Sequence, residues 1–369
     1  MSQPGGGAEL ARLLREQRVI VLCGAGGVGK TTAAASLALA AADAGRRVLV
    51  LTIDPARRLA EALGIPPGAQ KPSAVPRDRL DAAGVSPTGS LDAWMLDPRV
   101  VFEGLVRRLA SPETAKAILA TRLYHHMTEL AAGMQEYTAA EALYELVQEG
   151  SYDLVVLDTP PSRNALDFLD APGRLSRFLD DGIVQLFLPK QGGILRRAGR
   201  LLGSVFGSVF GDQFIDDLGV FLGAFSGLFA ALRAHTEGVR ALLGSAQSSF
   251  LLVTSPETAA LDEALFFKDQ LAARKLPFAG FLLNRSLARV AGLPNPGEVP
   301  GEPLGDGARR ALDELVLRER ELAGRDLALL GRLQGLAGEG KLALAAPHLG
   351  DAVEDLPGLL QLGRGLLQE

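Results

Sequence analysis

Residues 24–31 read Gly-Ala-Gly-Gly-Val-Gly-Lys-Thr, and this stretch decides how the rest of the chain is interpreted. It directly follows the apolar run Val19 to Cys23, which is typical of a parallel strand covered on both faces. Residues 30–43 are rich in threonine, alanine and strong helix formers, and Gly45 suits a helix C-terminal cap. A glycine-rich turn between a buried strand and a helix is the context of a phosphate-binding loop, or P-loop.

Each residue type in this loop has a chemical reason to be there. Glycines let backbone amides turn toward the β-phosphate of a nucleotide. The ammonium group of Lys30 neutralises that phosphate, and the hydroxyl of Thr31 is a ligand for Mg²⁺. The predicted nucleotide-binding residues of the loop are Gly24, Gly26, Gly27, Val28, Gly29, Lys30, Thr31 and Thr32.

The strand pattern predicts an α/β fold with a doubly wound, mostly parallel sheet. A second apolar strand, Arg47 to Ile53, follows the helix and completes a β-loop-α-β unit with the usual right-handed crossover. Four more short apolar runs are bounded by polar or proline-containing turns, which favours buried strands. These runs are Leu154 to Leu157, Phe250 to Thr254, Phe278 to Leu283 and Leu342 to Ala346.

Two helix-rich stretches, at about residues 97–149 and 166–245, interrupt the strand pattern. We expect them to form one helical subdomain inserted into a single P-loop ATPase domain that covers residues 1–369.

Residues 183–232 are unusually apolar for the surface of such a subdomain. They contain the repeat Gly-Ser-Val-Phe-Gly-Ser-Val-Phe-Gly at 203–211, which on a helix aligns its phenylalanines along one stripe. Two explanations stay open, namely close helix packing inside the protein and an exposed or gated hydrophobic surface. In the second case the client-binding candidates are Phe206, Phe210, Phe221 and Phe225.

Two aspartates end predicted strands at the edge of the sheet where ligands bind. Asp158 is followed by Thr-Pro-Pro-Ser, and we expect it to hold Mg²⁺ through water, although it also suits a turn cap. Asp54 could hold Mg²⁺ through water and orient the attacking water, because phosphoryl transfer depends on positioning. Its alternative role is to cap a helix that starts at Pro55. Lys30 and Asp54 are therefore the predicted catalytic residues.

The composition limits the possible partners. A chain of 369 residues with 47% hydrophobic content can bury a large core without metals or disulfides. The net charge of −5 argues against nucleic acid as a main ligand. The single cysteine and an N-terminus without a secretion signal favour a cytoplasmic location. The longest strongly apolar run, Leu218 to Leu232, is too short to span a bilayer, so membrane contact is expected to be at most peripheral.

Three motifs together resemble the arsenite-pump ATPase family. They are Gly-Gly-Val-Gly-Lys-Thr-Thr at the loop, Asp54-Pro-Ala-Arg-Arg-Leu, and Val-Leu-Asp158-Thr-Pro-Pro-Ser. That family includes the cytosolic ATPase that delivers tail-anchored membrane proteins, and the resemblance extends over nearly all of the chain after its amino-terminal lead. It implies that Asp54 lies in switch I and that Asp158 begins switch II. It also implies that Asn284 and Pro347 face adenine. No Asn-Lys-x-Asp guanine reader occurs, so the expected cofactors are ATP and Mg²⁺.

The chain departs from the family pattern at Ala25. Family members usually carry a lysine there that reaches the partner subunit's phosphates across a dimer interface. Three explanations stay open. A homodimer hydrolyses ATP slowly, or Arg57 or Arg58 substitutes for the lysine, or a lysine-bearing paralogue completes a heterodimer. We predict the heterodimer.

The resemblance favours a nucleotide-switched dimer that acts as a chaperone or targeting factor for hydrophobic membrane-protein clients. One alternative is an anion pump subunit of the arsenite type. Arsenite binding needs several converging thiolates, however, and the chain has one cysteine. A positioning protein of the septum-site or partition type also stays open, as does a subunit whose nucleotide serves only assembly.

Overall fold

The computed structural model describes residues 6–52, 58–65, 69–120, 134–159, 229–288, 305–347 and 355–368. The chain divides into two compact units. The first unit is drawn from Met1–Met95, Gly150–Arg163 and Leu243–Glu369, and the second from Leu96–Glu149 and Asn164–Leu242. That the second unit is a helical insertion stays a prediction, because most of residues 166–245 lie outside the described ranges.

Eight strands of the first unit form one sheet in the order β3-β4-β2-β5-β1-β6-β7-β8. Every neighbouring pair is parallel except β3 and β4, which are antiparallel. The strands are β1 Val19–Cys23, β2 Arg47–Thr52, β3 Ser73–Ala74, β4 Ser90–Met95, β5 Leu154–Asp158, β6 Ser248–Thr254, β7 Phe278–Ser286 and β8 Leu342–Pro347. The predicted α/β fold with a mostly parallel sheet is confirmed.

All six predicted strands are present, and the sheet has two that the sequence did not indicate. The first four residues of β4 alternate between polar and apolar, and its Asp92 accepts a hydrogen bond from the Tyr152 hydroxyl at 2.7 Å. β3 is only two residues long. Strands this short or this polar lack the continuous apolar signal of the central strands, whose residues in β1 and β5 are all buried.

The helices in the described part of the first unit cover the sheet and connect its strands. They are α1 Gly6–Glu16, α2 Lys30–Asp43, α3 Arg58–Leu63, α4 Arg77–Ala83, α9 Thr258–Ala273, α10 Asp306–Ala337 and α11 Leu356–Leu367. The sequence pattern does not predict α1, because this helix begins inside a run of three glycines in the amino-terminal lead.

The apolar carboxyl-terminal helix α11 belongs to the core. The backbones of α11 and α2 approach so closely that a Cβ on Gly363 would lie 2.4 Å from the Ser36 carbonyl oxygen. Arg364 of α11 forms an ion pair with Asp43 of α2, with an Nε to Oδ2 distance of 2.8 Å. This guanidinium lowers the pKa of the Asp43 carboxyl below its usual value. The apolar face of α11 therefore serves folding.

The second unit contains the described helices α5 Pro98–Leu109, α6 Pro112–Leu119, α7 Met134–Glu149 and α8 Phe229–Leu243, apart from the last residue of α8. The side chain of Asp97 caps α5, and an ion pair between Arg108 and Glu145 joins α5 to α7. The buried carboxylate of Glu141 on α7 lies 3.2 Å from Nδ1 of His235 on α8. In the part of the chain that the structure describes, no helix is long and apolar enough to cross a bilayer.

Candidate functional site

The loop between β1 and α2 requires glycine at specific positions. Gly24, Gly27 and Gly29 have φ angles of 155°, 78° and 87°, which side-chain-bearing residues rarely adopt. A Cβ on Gly24 would lie 2.1 Å from the Val253 carbonyl oxygen, and one on Gly29 would lie 2.2 Å from Nδ2 of Asn284. The backbone therefore disfavours a side chain at all three positions, and at Gly24 and Gly29 steric contacts exclude one as well, which leaves a cradle formed largely by main chain.

Lys30 places its positive charge on this loop. The side chain is only 6% exposed, and Nζ donates hydrogen bonds to the carbonyl oxygens of Gly24 at 2.9 Å and Ala25 at 2.8 Å. Gly29 precedes α2 in a left-handed conformation, and having no side chain it cannot cap the helix itself. The lysine ammonium and the amide end of α2 thus create positive potential in one place, which suits a phosphate group.

Thr31 and Asp158, each of which the sequence assigns to Mg²⁺, come together at the carboxyl ends of the parallel strands. The Thr31 hydroxyl donates a 2.6 Å hydrogen bond to Oδ2 of Asp158, the last residue of β5, which is 1% exposed. Carboxylate and hydroxyl oxygens are the ligands that Mg²⁺ prefers. Because its proton points to the carboxylate, the Thr31 oxygen keeps lone pairs for a cation. The donor set therefore fits Mg²⁺.

Asn284 lies near the carboxyl end of β7, and its side chain contacts the loop between β1 and α2. Its Nδ2 donates a 2.8 Å hydrogen bond to the Val28 carbonyl oxygen. The strand pairing shifts register between Leu283 and Ser286, and Arg285 has a positive φ of 54°. Such irregular backbone re-aims side chains near sites. Pro347 pairs with Ser286 and lies at the same edge of the sheet. The contact of either residue with adenine stays a prediction.

Sequence reasoning missed Asp326, a buried carboxylate on α10. It accepts hydrogen bonds from the Leu287 backbone amide at 2.9 Å and from the Arg325 guanidinium at 3.0 Å. Its contact with the end of β7 holds the chain just after Asn284. No spacing rule could find it, because a single aspartate on a charged helix is usually exposed.

A comparison with known protein families gives a match that is consistent with this geometry. Residues 17–291, most of the chain, match the family described as anion-transporting ATPase. The chain belongs to the anion-transporting ATPase family. The matched region contains the loop, Asp158 and Asn284, and it ends before Pro347.

Individual relatives cover different shares of this family member. A putative arsenical pump-driving ATPase of Halobacterium salinarum is 32% identical over 185 residues, 49% of this chain and 28% of that protein. ATPase BagA of Mycobacterium tuberculosis is 25% identical over 277 residues, 73% of this chain and 65% of that protein. ATPase ASNA1 homolog 1 of Paramecium tetraurelia is 28% identical over 167 residues, which are 45% of this chain and 47% of that protein. The chain thus spans between 28% and 65% of the lengths of these relatives.

In this member of the anion-transporting ATPase family, the only cysteine is not available as a soft ligand. Cys23 ends β1 and is fully buried, and burial raises the pKa of its thiol to about 12. The thiol is therefore protonated at neutral pH, whereas metalloid binding requires thiolates. Among the described residues, no group of three or more His, Cys, Asp or Glu side chains is placed to hold a metal.

The remaining predicted site residues divide into two groups. Gly26 is exposed at the tip of the loop, Thr32 is partly buried in the first turn of α2, and Ala25 is 8% exposed. Others lie outside the described residues, namely Asp54, Arg57, Phe206, Phe210, Phe221 and Phe225. Arg58 begins α3, and its side chain is also outside the described set. The roles predicted for the residues and side chains outside the described set stay predictions.

Proposed function

We propose that the protein binds ATP with Mg²⁺ and hydrolyses it to ADP and phosphate. The observation that carries this proposal is a buried lysine ammonium on a glycine-rich loop, beside a threonine hydroxyl that donates to a buried aspartate. These groups occupy the carboxyl end of parallel strands, where ligands bind in such sheets. Membership of the anion-transporting ATPase family supports the same conclusion.

The proposed roles follow from the contacts. Lys30 exchanges its bonds to the Gly24 and Ala25 carbonyls for phosphate oxygens, so its charge is already in position before binding. Thr31 would hold Mg²⁺ directly and Asp158 would hold it through water, and the bound ion would supply positive charge to the phosphates of the nucleotide. Asp54 orients the attacking water. The last three residues of β7 and the residue after it read Asn284-Arg-Ser-Leu and lack a guanine-reading aspartate, which favours ATP over GTP.

Calorimetry on the intact chain tests the binding step, and phosphate release tests hydrolysis. We expect ATP and ADP to bind in the presence of Mg²⁺, GTP to bind more weakly, and EDTA to weaken ATP binding. Phosphate release should depend on Mg²⁺. The proposal is wrong if the folded protein takes up no Mg-nucleotide.

We further propose that ATP drives closure of a dimer that presents an apolar groove to hydrophobic protein clients. The apolar stretch 183–232 motivates this proposal. A nucleotide moves a two-state equilibrium only through different contacts in the two states, and full conversion takes about 5 kcal/mol of differential binding. Contacts of the γ-phosphate with the Asp54 and Asp158 segments are the proposed source.

Loss of client capture is the expected result of placing charges on the proposed apolar stripe. The double variant Phe206→Asp with Phe210→Asp should no longer co-purify with membrane-protein segments, because a buried unpaired carboxylate is costly in an apolar groove. Its affinity for Mg-ATP should not change. Phe266→Asp is the matched control, since Phe266 lies on α9 in the first unit and is 43% exposed. Equal capture by the double variant and the parent chain would refute the groove.

Two alternative functions receive less support from the structure. A pump role accords with the name of the Halobacterium salinarum relative, but metalloid control would need thiolates that a single buried Cys23 does not supply. A positioning protein of the septum-site type would need a membrane or DNA anchor. The apolar helix α11 packs on α2, and its Arg364 is paired with Asp43. Liposome and DNA pull-downs with ATP discriminate these two functions from client capture.

A further inference from the structure

Thr52 is a polar residue at a fully buried position, the last residue of β2. The four residues before it in β2 are Val, Leu, Val and Leu, and all are buried. Thr52 itself is 1% exposed and lies opposite Asp158 in the parallel register of β2 and β5. Valine has the same shape and would avoid burying a hydroxyl, which is costly unless the hydroxyl is hydrogen-bonded. The hydroxyl therefore needs a specific explanation.

The hydroxyl groups of Thr52 and Thr31 donate hydrogen bonds to the same carboxylate oxygen, Oδ2 of Asp158. The distance from Oγ1 to Oδ2 of Asp158 is 3.1 Å for Thr52 and 2.6 Å for Thr31. The two donors come from different elements, β2 and α2, so they approach the oxygen along different directions. Rotation of the carboxylate would break both hydrogen bonds at once. Thr52 thus fixes the orientation of the group to which Thr31 is bonded.

We propose that Thr52 is a positioning residue for Mg²⁺ binding. This inference rests on the proposed function, in which Thr31 and Asp158 hold the ion. Thr52 acts through Asp158, because it keeps Oδ2 directed at the Thr31 hydroxyl and so keeps the lone pairs of Thr31 directed at the cation site. Residues that orient metal ligands typically change metal affinity 10- to 100-fold when they are removed.

A purely structural role for Thr52 predicts a different outcome. If its hydroxyl only satisfies a buried carboxylate, its loss lowers stability, and nucleotide affinity falls equally with and without Mg²⁺. A positioning role affects the Mg²⁺-dependent part of binding alone. Measurements with and without the ion therefore separate the two roles.

The experiment follows the fluorescence of mant-ADP bound to the full chain. Its affinity is measured first in EDTA, and Mg²⁺ is then titrated at a fixed mant-ADP concentration. The variants are Thr52→Val, the conservative Thr52→Ser, and Thr52→Ala as a second hydroxyl-free form in case valine prevents folding. Thr254→Val is the matched control, because Thr254 is buried at the end of β6 and its hydroxyl lies 3.4 Å from the Ser255 carbonyl oxygen. Urea denaturation of each variant reports stability.

We expect Thr52→Val and Thr52→Ala to raise the half-saturating Mg²⁺ concentration about tenfold and to leave the EDTA affinity unchanged. Thr52→Ser and Thr254→Val should resemble the parent chain. The inference is overturned if the Mg²⁺ dependence does not move, if the EDTA affinity falls equally, or if serine does not restore binding. A parent chain that binds no mant-ADP under either condition refutes the proposed function itself, and the inference fails with it.

Discussion

Replacement of Lys30 by alanine is expected to remove measurable Mg-ATP binding. The ammonium is buried on the loop, so in the bound state it faces phosphate oxygens with little competition from water. Charge-assisted hydrogen bonds contribute about 1.5–3 kcal/mol each, and loss of two of them weakens affinity by roughly 100-fold or more. Isothermal titration calorimetry with Mg-ATP measures the effect directly, and phosphate release should fall with it.

The controls for Lys30→Ala separate binding from folding. Lys341→Ala removes another lysine, which is exposed just before β8 at the opposite end of the parallel strands, so it should bind Mg-ATP like the parent chain. Circular dichroism should show that Lys30→Ala remains folded, because the loop carbonyls of Gly24 and Ala25 lie beside exposed glycines that water can reach. Unchanged Mg-ATP affinity in Lys30→Ala would contradict the whole proposed site.

The central sheet could be predicted because its strands are unambiguous. β1 and the first four residues of β5 are continuous apolar runs, and every residue of both strands is buried. Such runs are typical of parallel strands between two layers of helices. β4 was missed because Ser90 and Asp92 interrupt its apolar pattern. The helix α1 was missed because glycine disfavours helix, and here tertiary packing outweighs local propensity. Gly7 and Leu10 of α1 are buried.

The site was predictable only where a residue type implies its chemistry. Spacing alone identified Lys30 and Thr31, and the position of Asp158 at a strand end indicated that its carboxylate lies where ligands bind. The 2.6 Å contact of Asp158 with Thr31 was not predicted. Thr52 was missed, because the second partner of the Asp158 carboxylate depends on strand order and register. Asp326 was missed, because an aspartate on a charged helix is usually exposed. The bond from Asn284 to the Val28 carbonyl joins residues 256 positions apart, and no local pattern encodes it.

We expect the purified chain to hydrolyse ATP slowly, because position 25 is alanine. Addition of a lysine-bearing paralogue should accelerate hydrolysis greatly. A cation that reaches phosphates from a partner subunit can contribute about 10³ to 10⁵ in rate. The methyl side chain of Ala25 carries no charge, so position 25 of this chain supplies no such cation. Phosphate release under single-turnover conditions, with and without the paralogue, measures the difference.

The variant Ala25→Lys tests the same idea within one chain. Gly26 and Gly27 beside it are exposed, so a long lysine stem has a short path from the core to the surface of the loop. If two copies associate, each introduced lysine reaches the other copy's phosphates, and hydrolysis should rise by about two to three orders of magnitude. Ala25→Met adds a stem of similar length without charge and should stay slow. Brisk hydrolysis by the parent chain alone would show that the position 25 lysine is not needed, and would point instead to Arg57 or Arg58.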